Sequence, residues 1–129
     1  GLFDTNYFVY GEETDWCFRF RAAGWRVLFT PEAEIVHLGG GSSRKIRPAM
    51  IMQLRASVLY FIKKHRSRLE YVAALGLVAL FFLIRVPYWL GHAAVSGQAR
   101  RLDIQTARTY LAGAFRTLGG WRALAYKST

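Results

Sequence analysis

The sequence predicts two unlike parts, an α/β segment over residues 1–46 and a helical, membrane-associated tail over residues 47–129. The first observation is a change of composition at residues 39–48, before which acids and aromatics mix in short segments. The second is one helical pattern followed by two short alternating patterns, which is typical of an α/β fold. The third is that long apolar helical patterns dominate after residue 48, where only two acids occur.

The bulk composition points to a membrane surface. Hydrophobic residues make up 53% of the 129 residues, yet the formal net charge is +10. These features conflict in a small soluble protein, because high charge resists compaction while high apolarity demands burial. They are compatible where part of the chain lies against an anionic membrane. The lone cysteine, Cys17, excludes an internal disulfide. Without an initiator Met or a signal-peptide pattern, we expect the chain to be the later part of something larger.

The first element is a helix predicted over residues 12–23. Trp16 and Phe20 recur at helical spacing, and Asp15 and Arg19 form a pair four residues apart. Gly24 is typical of the residue that follows a helix end.

Two short strands are predicted next. The stretch "WRVLFT", residues 25–30, is rich in β-formers, and "AEIVHL", residues 33–38, alternates between apolar and polar side chains. Pro31 separates them, and "GGGSSRK", residues 39–45, is a glycine-rich loop.

The tail begins with a helix predicted from Pro48. The following run, "YVAALGLVALFFLIRVPYWLG", has no charge over 14 residues, short of the about 20 that cross a bilayer. Extending the run to the length of a membrane span includes Arg85, a cation, and Pro87, a helix breaker, near one end. Asp103 is predicted to cap a last helix that Gly119 ends. One face of the first of these helices carries Ile51, Leu54, Val58, Phe61 and Ile62, and one face of the last carries Ile104, Ala107, Leu111, Ala114, Phe115 and Leu118.

Three acids, Glu12, Glu13 and Asp15, stand close together at the start of the first helix. Acids there favour the helix electrostatically, by about 0.3–1 kcal/mol each. One acid satisfies that role, and three repel one another. The alternative is that one of them is a general base, since a carboxylate behind a flexible glycine projects into a cleft and reaches a hydroxyl proton. Neighbouring acids raise its proton affinity.

The stretch "GLFDTNYFVYGEETDWCFRFRAAGWRVLFTPEAEIVHLGGGSS" resembles the C-terminal part of the catalytic domain of family 2 glycosyltransferases, with the bacterial rhamnosyltransferase-like members the nearest in pattern. The resemblance covers about the first third of the chain. The matching positions are Gly1, Phe3, Asp4, Phe8, Tyr10, Gly11, Glu12, Asp15, Cys17, Arg19, Gly24, Pro31, Ala33, His37, Gly40 and Ser42.

The resemblance implies an inverting transfer from a nucleotide-sugar donor, on a GT-A scaffold, to a hydroxyl of a cell-surface glycan or lipid-linked acceptor. It assigns Glu13 the role of general base and Glu12 that of orienting the base or binding acceptor hydroxyls. The family more often has Asp at the second of these positions, and Glu is one methylene longer. Asp15 either shares the role or pairs with Arg19. Trp16 is either a core anchor or a platform on which a sugar stacks.

A divalent metal is also implied, Mn²⁺ or Mg²⁺, held mostly by an Asp-x-Asp motif that these residues lack. His37 would complete that metal site or contact the diphosphate; otherwise it is a hydrogen-bonded structural histidine. The glycine loop would wrap a diphosphate through its backbone N–H groups and two cations. Its proposed donor-binding residues are Gly40, Gly41, Ser42, Ser43, Arg44 and Lys45. If the family assignment holds, the donor site lies upstream of Gly1, and we expect this chain alone to be inactive.

The run "KKHRSR", residues 63–68, precedes the apolar stretch. It is either a solvated helix face or a contact with anionic lipid headgroups on the cytoplasmic face of the cell membrane, worth about 1 kcal/mol per cation. Helices lying in the interface fit this pattern better than a clean span. Two other classes stay open: a non-catalytic membrane-associated assembly subunit, and a basic nucleic-acid-binding module. The second lacks a recognition motif, so we expect no nucleic acid as partner.

Overall fold

A computed structural model describes residues 2–36, 47–97 and 99–125 of the chain. Within these ranges the protein is all helical. Its elements in chain order are α1 (Glu12–Ala22), α2 (Arg47–His65), α3 (Arg68–Leu83), α4 (Arg85–Val95), α5 (Arg100–Leu118) and α6 (Trp121–Leu124).

The predicted α/β fold is wrong. Residues 25–30 and 33–36 carry no strand in the described part of the chain, and residues 37–38 of the second predicted strand lie outside it. Phe29 is 91% exposed and Val36 is 90% exposed. A strand needs a neighbour to accept and donate its backbone hydrogen bonds. Composition and alternation predicted strand-forming segments here, but neither property supplies a partner strand.

Helix α1 confirms the helix predicted near residues 12–23, and it ends one residue early. Tyr10 and Gly11 both have positive φ, 69° and 89°, immediately before it. The left-handed region suits Gly11, but it costs a residue such as Tyr10 roughly 1–2 kcal/mol. After the helix, Gly24 has φ +85° and turns the chain, as predicted.

Helices α2 and α3 form an antiparallel hairpin with a very short connection. Ser67 accepts a hydrogen bond from the backbone N–H of Glu70, and the Glu70 side chain accepts one from the Ser67 N–H. This reciprocal capping box satisfies two N–H groups that the first turn of α3 leaves unpaired. Helix α2 begins at Arg47, one residue before the predicted start at Pro48.

Helices α3 and α4 follow each other with a break only at Ile84. Together they form a stretch of 28 residues, Arg68–Val95, that is long and apolar enough to be membrane-associated by length and composition. Pro87 lies in the first turn of α4, where its missing N–H has no helical partner to lose. The uncharged stretch of 14 residues therefore understates the helical length, because the helix resumes at Arg85 itself and continues through Pro87.

The core lies where α2, α3, α5 and α6 meet. Gly113 of α5 faces Phe82 of α3 so closely that an added Cβ would lie 2.8 Å from two ring carbons. The fully or nearly buried apolar residues of this core are Met52, Ala56, Leu59, Ala74, Val78, Phe82, Tyr110, Ala114, Trp121 and Leu124.

Helix α5 starts earlier than predicted. It begins at Arg100, so Asp103 is inside its first turn and is not its N-cap. Asp103 is buried, and its Oδ2 accepts hydrogen bonds from Ser96 Oγ at 2.5 Å and His92 Nδ1 at 2.8 Å. These bonds bind the end of α4 to α5. The end of α5 before Gly119 is as predicted.

The apolar faces of α2 and α5 are only partly buried. On α5, Phe115 is 67% exposed and Leu118 is 79% exposed, while the small residues Ala107, Gly113 and Ala114 are buried. On α2, Leu54 and Val58 are exposed, while Met52, Ala56 and Leu59 are buried. Some large apolar residues of these faces therefore point outward, although the core itself also holds large side chains such as Leu59 and Phe82.

Candidate functional site

The most connected polar residue in the first segment is Asp15, in the first turn of α1. Its side chain is 0% exposed. Its carboxylate oxygens lie 2.8 Å from Arg19 Nε, 2.8 Å from Lys64 Nζ and 2.6 Å from His65 Nε2. The predicted pair with Arg19 is therefore present, and two partners from the last turn of α2 join it.

The electrostatics of this cluster keep Asp15 ionised. Burial alone raises the pKa of Asp15, but the hydrogen bonds from Lys64, His65 and Arg19 outweigh it and hold the pKa below its usual value. An ionised carboxylate only accepts hydrogen bonds, so His65 Nε2 carries the hydrogen that it shares with Asp15. With four donors on its two oxygens, including the Tyr7 hydroxyl at 3.5 Å, Asp15 is in a positioning role.

A second carboxylate, Asp4, extends the cluster. Asp4 Oδ2 accepts hydrogen bonds from Lys64 Nζ at 2.7 Å and from Tyr60 Oη at 2.9 Å. Burial raises the pKa of Asp4, but hydrogen bonds from Lys64, Asn6 and Tyr60 lower it well below its usual value. The pKa of Lys64 is raised in turn: burial lowers it, and the bonds to the two carboxylates more than reverse this.

Aromatic contacts surround the charged cluster. Phe18 of α1 packs against the rings of Phe61 and His65, with centroids 5.4 Å and 4.5 Å away. Tyr7 packs edge-on against Tyr60 at 4.9 Å, and burial followed by the charge of Asp15 raises the pKa of Tyr7. Ion pairs and ring contacts together fix α1 to the C-terminal half of α2.

The two carboxylates assigned to acceptor chemistry occupy the first two positions of α1. Glu13 is exposed, and its Oε1 accepts a hydrogen bond from the neighbouring Thr14 hydroxyl at 3.1 Å. Glu12 is half-buried, and its Oε2 is enclosed without a hydrogen-bond partner in the described part of the chain. A buried carboxylate oxygen normally has a donor, so the surroundings of Glu12 leave one hydrogen bond to be made.

Trp16 lies between two phenylalanines. Its ring centroid is 4.8 Å from that of Phe3 and 4.8 Å from that of Phe20, and the side chain is partly exposed. This stack supports the anchoring role on one side. The exposed part leaves room for the other predicted role, a platform for a sugar.

The donor-side candidates lie outside the described residues. They comprise the proposed metal ligand and the glycine loop: His37, Gly40, Gly41, Ser42, Ser43, Arg44 and Lys45. Among the residues that the structure does describe, no three His, Cys, Asp or Glu side chains come together as a metal site. The described residues thus do not assemble a site for Mn²⁺ or Mg²⁺, and no reaction step is drawn through an ion.

The basic run at residues 63–68 divides into two groups. Lys64 and His65 face α1, and both bind Asp15. Lys63, Arg66 and Arg68 are exposed. The contact between α1 and α2 was not foreseen, because it joins residues 49 and 50 positions apart and a run of cations predicts only a charged face. One available signal was Asp4, an acid in a chain that has eight Asp and Glu residues against eighteen Lys and Arg.

A cavity of about 490 Å³ lies elsewhere, between α2 and α6. It is lined by Ala49, Met52, Arg116, Arg122, Ala123, Leu124 and Ala125. None of these is among the acids at the start of α1, so this cavity and the proposed acceptor chemistry are separate features.

Comparison with known proteins adds no relative. No protein-family model, no curated protein and no solved structure matches the chain.

Proposed function

We propose that this chain is part of an inverting glycosyltransferase, in which α1 presents the acceptor-side carboxylates and the helical tail docks on an anionic membrane. The sugar moves from a nucleotide-sugar donor to a hydroxyl of a cell-surface glycan or lipid-linked acceptor. The ordered resemblance of the first segment to family 2 glycosyltransferases supports the transfer. The arrangement of Glu12 and Glu13 on α1 is the structural observation that carries it.

That arrangement suits an acceptor site in three respects. The backbone reaches α1 through two consecutive positive-φ residues, Tyr10 and Gly11, and unusual backbone conformations of this kind concentrate at functional sites. Glu12 has an oxygen that lacks a donor, as an acceptor-binding carboxylate does before its hydroxyl arrives. Glu13 is accessible, and a small rotation frees it from Thr14. Asp15, one turn along, fixes the helix that carries both.

The proposed step is a single displacement. The Glu13 carboxylate takes the proton of the acceptor hydroxyl as its oxygen bonds to the anomeric carbon, and the nucleoside diphosphate leaves from the opposite face. The anomeric configuration inverts because attack and departure occur on opposite sides. Glu12 accepts a hydrogen bond from the acceptor and holds its hydroxyl toward Glu13.

Membrane docking is supported by the outward-facing apolar side chains of α3, α4 and α5. Docking in the interface, with the helices along the surface, is the geometry that we propose. Helix α2 runs beside α3 and carries Arg55, whose charge would be costly to place across the hydrocarbon. The exposed cations Lys63, Arg66 and Arg68 then meet lipid phosphates on the cytoplasmic face.

The base assignment is tested by sugar transfer in the intact enzyme. Glu13→Gln keeps the size of the side chain and removes its basicity, so we expect kcat to fall by about 10²–10⁴. Glu12→Gln keeps a hydrogen-bond acceptor, so we expect mainly a higher KM for the acceptor. Glu32→Gln, an exposed acid in the coil after α1, is the matched control and should leave both constants unchanged. Full activity in a folded Glu13→Gln enzyme would falsify the assignment.

Docking is tested by flotation with phosphatidylcholine vesicles that contain increasing phosphatidylglycerol. We expect binding that grows with anionic lipid and weakens with salt. Replacing Lys63 and Arg66 by Gln should reduce it more than replacing Arg21 and Arg26, two exposed cations of the acid-rich segment. Equal binding to neutral and anionic vesicles contradicts electrostatic docking.

A non-catalytic assembly subunit is the second candidate. It is favoured by the exposure of Glu13 and by the position of the described cavity away from the acids. On this alternative, Glu13→Gln leaves sugar transfer by the assembled complex unchanged. Assembly then depends on the helical tail alone.

A further inference from the structure

Two arginines from different helices lie against one aromatic ring. The Cζ atom of Arg55, on α2, is 3.9 Å from the centre of the Phe81 ring, and the Cζ of Arg85, at the start of α4, is 3.7 Å from it. A cation this close stands over a ring face, where the π electrons attract it. Two guanidinium groups do not fit beside each other over one face. They therefore lie on opposite faces, less than about 8 Å apart, with Phe81 between them.

Neither cation has an acidic partner. All eight Asp and Glu residues of the chain lie in the described part, and none pairs with Arg55 or Arg85. Arg85 Nη1 donates to the Phe81 carbonyl oxygen at 3.0 Å. Arg55 Nε is buried and donates to no described atom. Burial and the nearby charge of Arg85 lower the pKa of Arg55, which reflects two like charges held together without compensation.

Such an arrangement is unfavourable in the chain by itself. Paired cations repel, and a buried N–H without an acceptor forfeits about 1–3 kcal/mol. An anion that bridges the two guanidinium groups around the edge of the Phe81 ring removes both penalties, and arginine forks bind phosphate oxygens with two parallel hydrogen bonds. Since Phe81 separates the cations, one phosphate group is too small to reach both around the ring edge. Two linked phosphate groups offer oxygens to each.

We propose that Arg55, Phe81 and Arg85 form a binding site for a diphosphate group. In the proposed docking the helices lie along the surface, so Phe81 and Arg85 of the apolar stretch Arg68–Val95 lie at the depth of lipid headgroups. The proposal rests on the membrane docking in the proposed function and not on sugar transfer. Two sources share this chemistry, a lipid with a diphosphate headgroup and a soluble diphosphate.

The test measures binding without any sugar donor, so its outcome is independent of transfer. The chain in detergent micelles is titrated with inorganic pyrophosphate and with inorganic phosphate by calorimetry. We expect pyrophosphate to bind, and to bind more tightly than phosphate. The double variant Arg55→Gln/Arg85→Gln should weaken pyrophosphate binding by at least about tenfold. The control Arg101→Gln/Arg108→Gln removes two exposed cations of α5 and the same charge, and should change it less than about twofold.

A further variant keeps both charges. Phe81→Leu removes the ring that sets the spacing of the two arginines, and it should weaken pyrophosphate binding several-fold while leaving phosphate binding unchanged. Helix content and melting of every variant are followed by circular dichroism. If Arg55→Gln/Arg85→Gln does not fold, two other variants replace it in the test. One is Phe81→Leu. The other is Arg55→Lys/Arg85→Lys, which keeps both charges but loses the fork geometry of arginine and should also weaken pyrophosphate binding.

Vesicles distinguish the sources. Phosphatidylcholine vesicles with a prenyl diphosphate are compared with vesicles holding the same charge as phosphatidylglycerol. Preference for the prenyl diphosphate that Arg55→Gln/Arg85→Gln abolishes identifies a lipid headgroup as the ligand. Pyrophosphate binding with no vesicle preference identifies a soluble diphosphate. The site is overturned if the parent chain does not bind pyrophosphate, or if the two double variants, both folded, weaken binding equally.

Discussion

His65 Nε2 lies 2.6 Å from Asp15 Oδ1, although 50 positions separate the two residues along the chain. This contact joins the first turn of α1 to the last turn of α2. It turns two predicted parts, the acid-rich segment and the basic tail, into one connected structure. Glu12 and Glu13 therefore owe their placement to residues of the tail.

Removal of the Asp15 charge should release α1. Asp15→Asn leaves Lys64 and Arg19 without their shared carboxylate, and we expect a loss of about 1–3 kcal/mol in unfolding free energy, reduced because both cations are partly exposed. Denaturant unfolding in detergent measures the loss, and trypsin cleavage after Arg21 reports whether α1 has opened. Glu32→Gln is the control. Cleavage rates that match the parent chain contradict the assigned role of Asp15.

The same cluster predicts a pH dependence. The pKa values of Asp4 and Asp15 are lowered in the folded chain from a usual value of 3.8, so their contribution to stability is complete above about 4 and declines as the pH falls below it. The pKa of Lys64 is raised from 10.5, so its contribution is complete below that value and declines above it. Hydrogen exchange of the α1 amides, corrected for intrinsic rates, should show a plateau between these limits. The acid decline should shrink in Asp15→Asn, and an unchanged profile there speaks against the cluster.

The contact of Gly113 with Phe82 should not tolerate a methyl group. Gly113→Ala places Cβ 2.8 Å from ring carbons of a side chain that is 1% exposed, so the ring cannot move aside. We expect a loss of about 1–3 kcal/mol by denaturant unfolding, larger than the gain from better helix propensity. Gly76→Ala is the matched control, since a Cβ there meets nothing within 4 Å and should stabilise α3. A neutral Gly113→Ala would show that α3 and α5 move apart readily.

The capping box at the start of α3 should contribute to the stability of the fold through its hydrogen bonds. Ser67→Ala removes the acceptor for the Glu70 N–H and should lower stability by about 1 kcal/mol. Thr106→Ala, which removes an exposed hydroxyl bonded back to Leu102 within α5, should have almost no effect. Melting curves of the two variants decide this, and equal shifts would mean that the cap is dispensable.

Sequence reasoning succeeded where a local signal sufficed. Gly24 and Gly119 end their helices as predicted, because a glycine after a helical pattern acts on its own neighbours. The prediction of two strands was wrong because the backbone pairing of a strand depends on a partner strand that local composition does not supply. The apolar faces of α2 and α5 could be predicted from spacing, but which of their residues pack inward could not, since Ala107 and Ala114 are buried while Phe115 and Leu118 are exposed. The partners of Asp15 were missed because no periodicity connects residues 50 positions apart.

The attachment of Asp15 to the last turn of α2, just before α3 begins, has a consequence for acceptor length. On the proposed docking, the start of α1 is held at a fixed height close to the bilayer surface. A growing glycan carries its terminal hydroxyl away from that surface, out of range of Glu13. Such an enzyme would add one or a few sugars near the lipid and then stop. The attachment of α1 to α2 would thereby limit the length of the glycan.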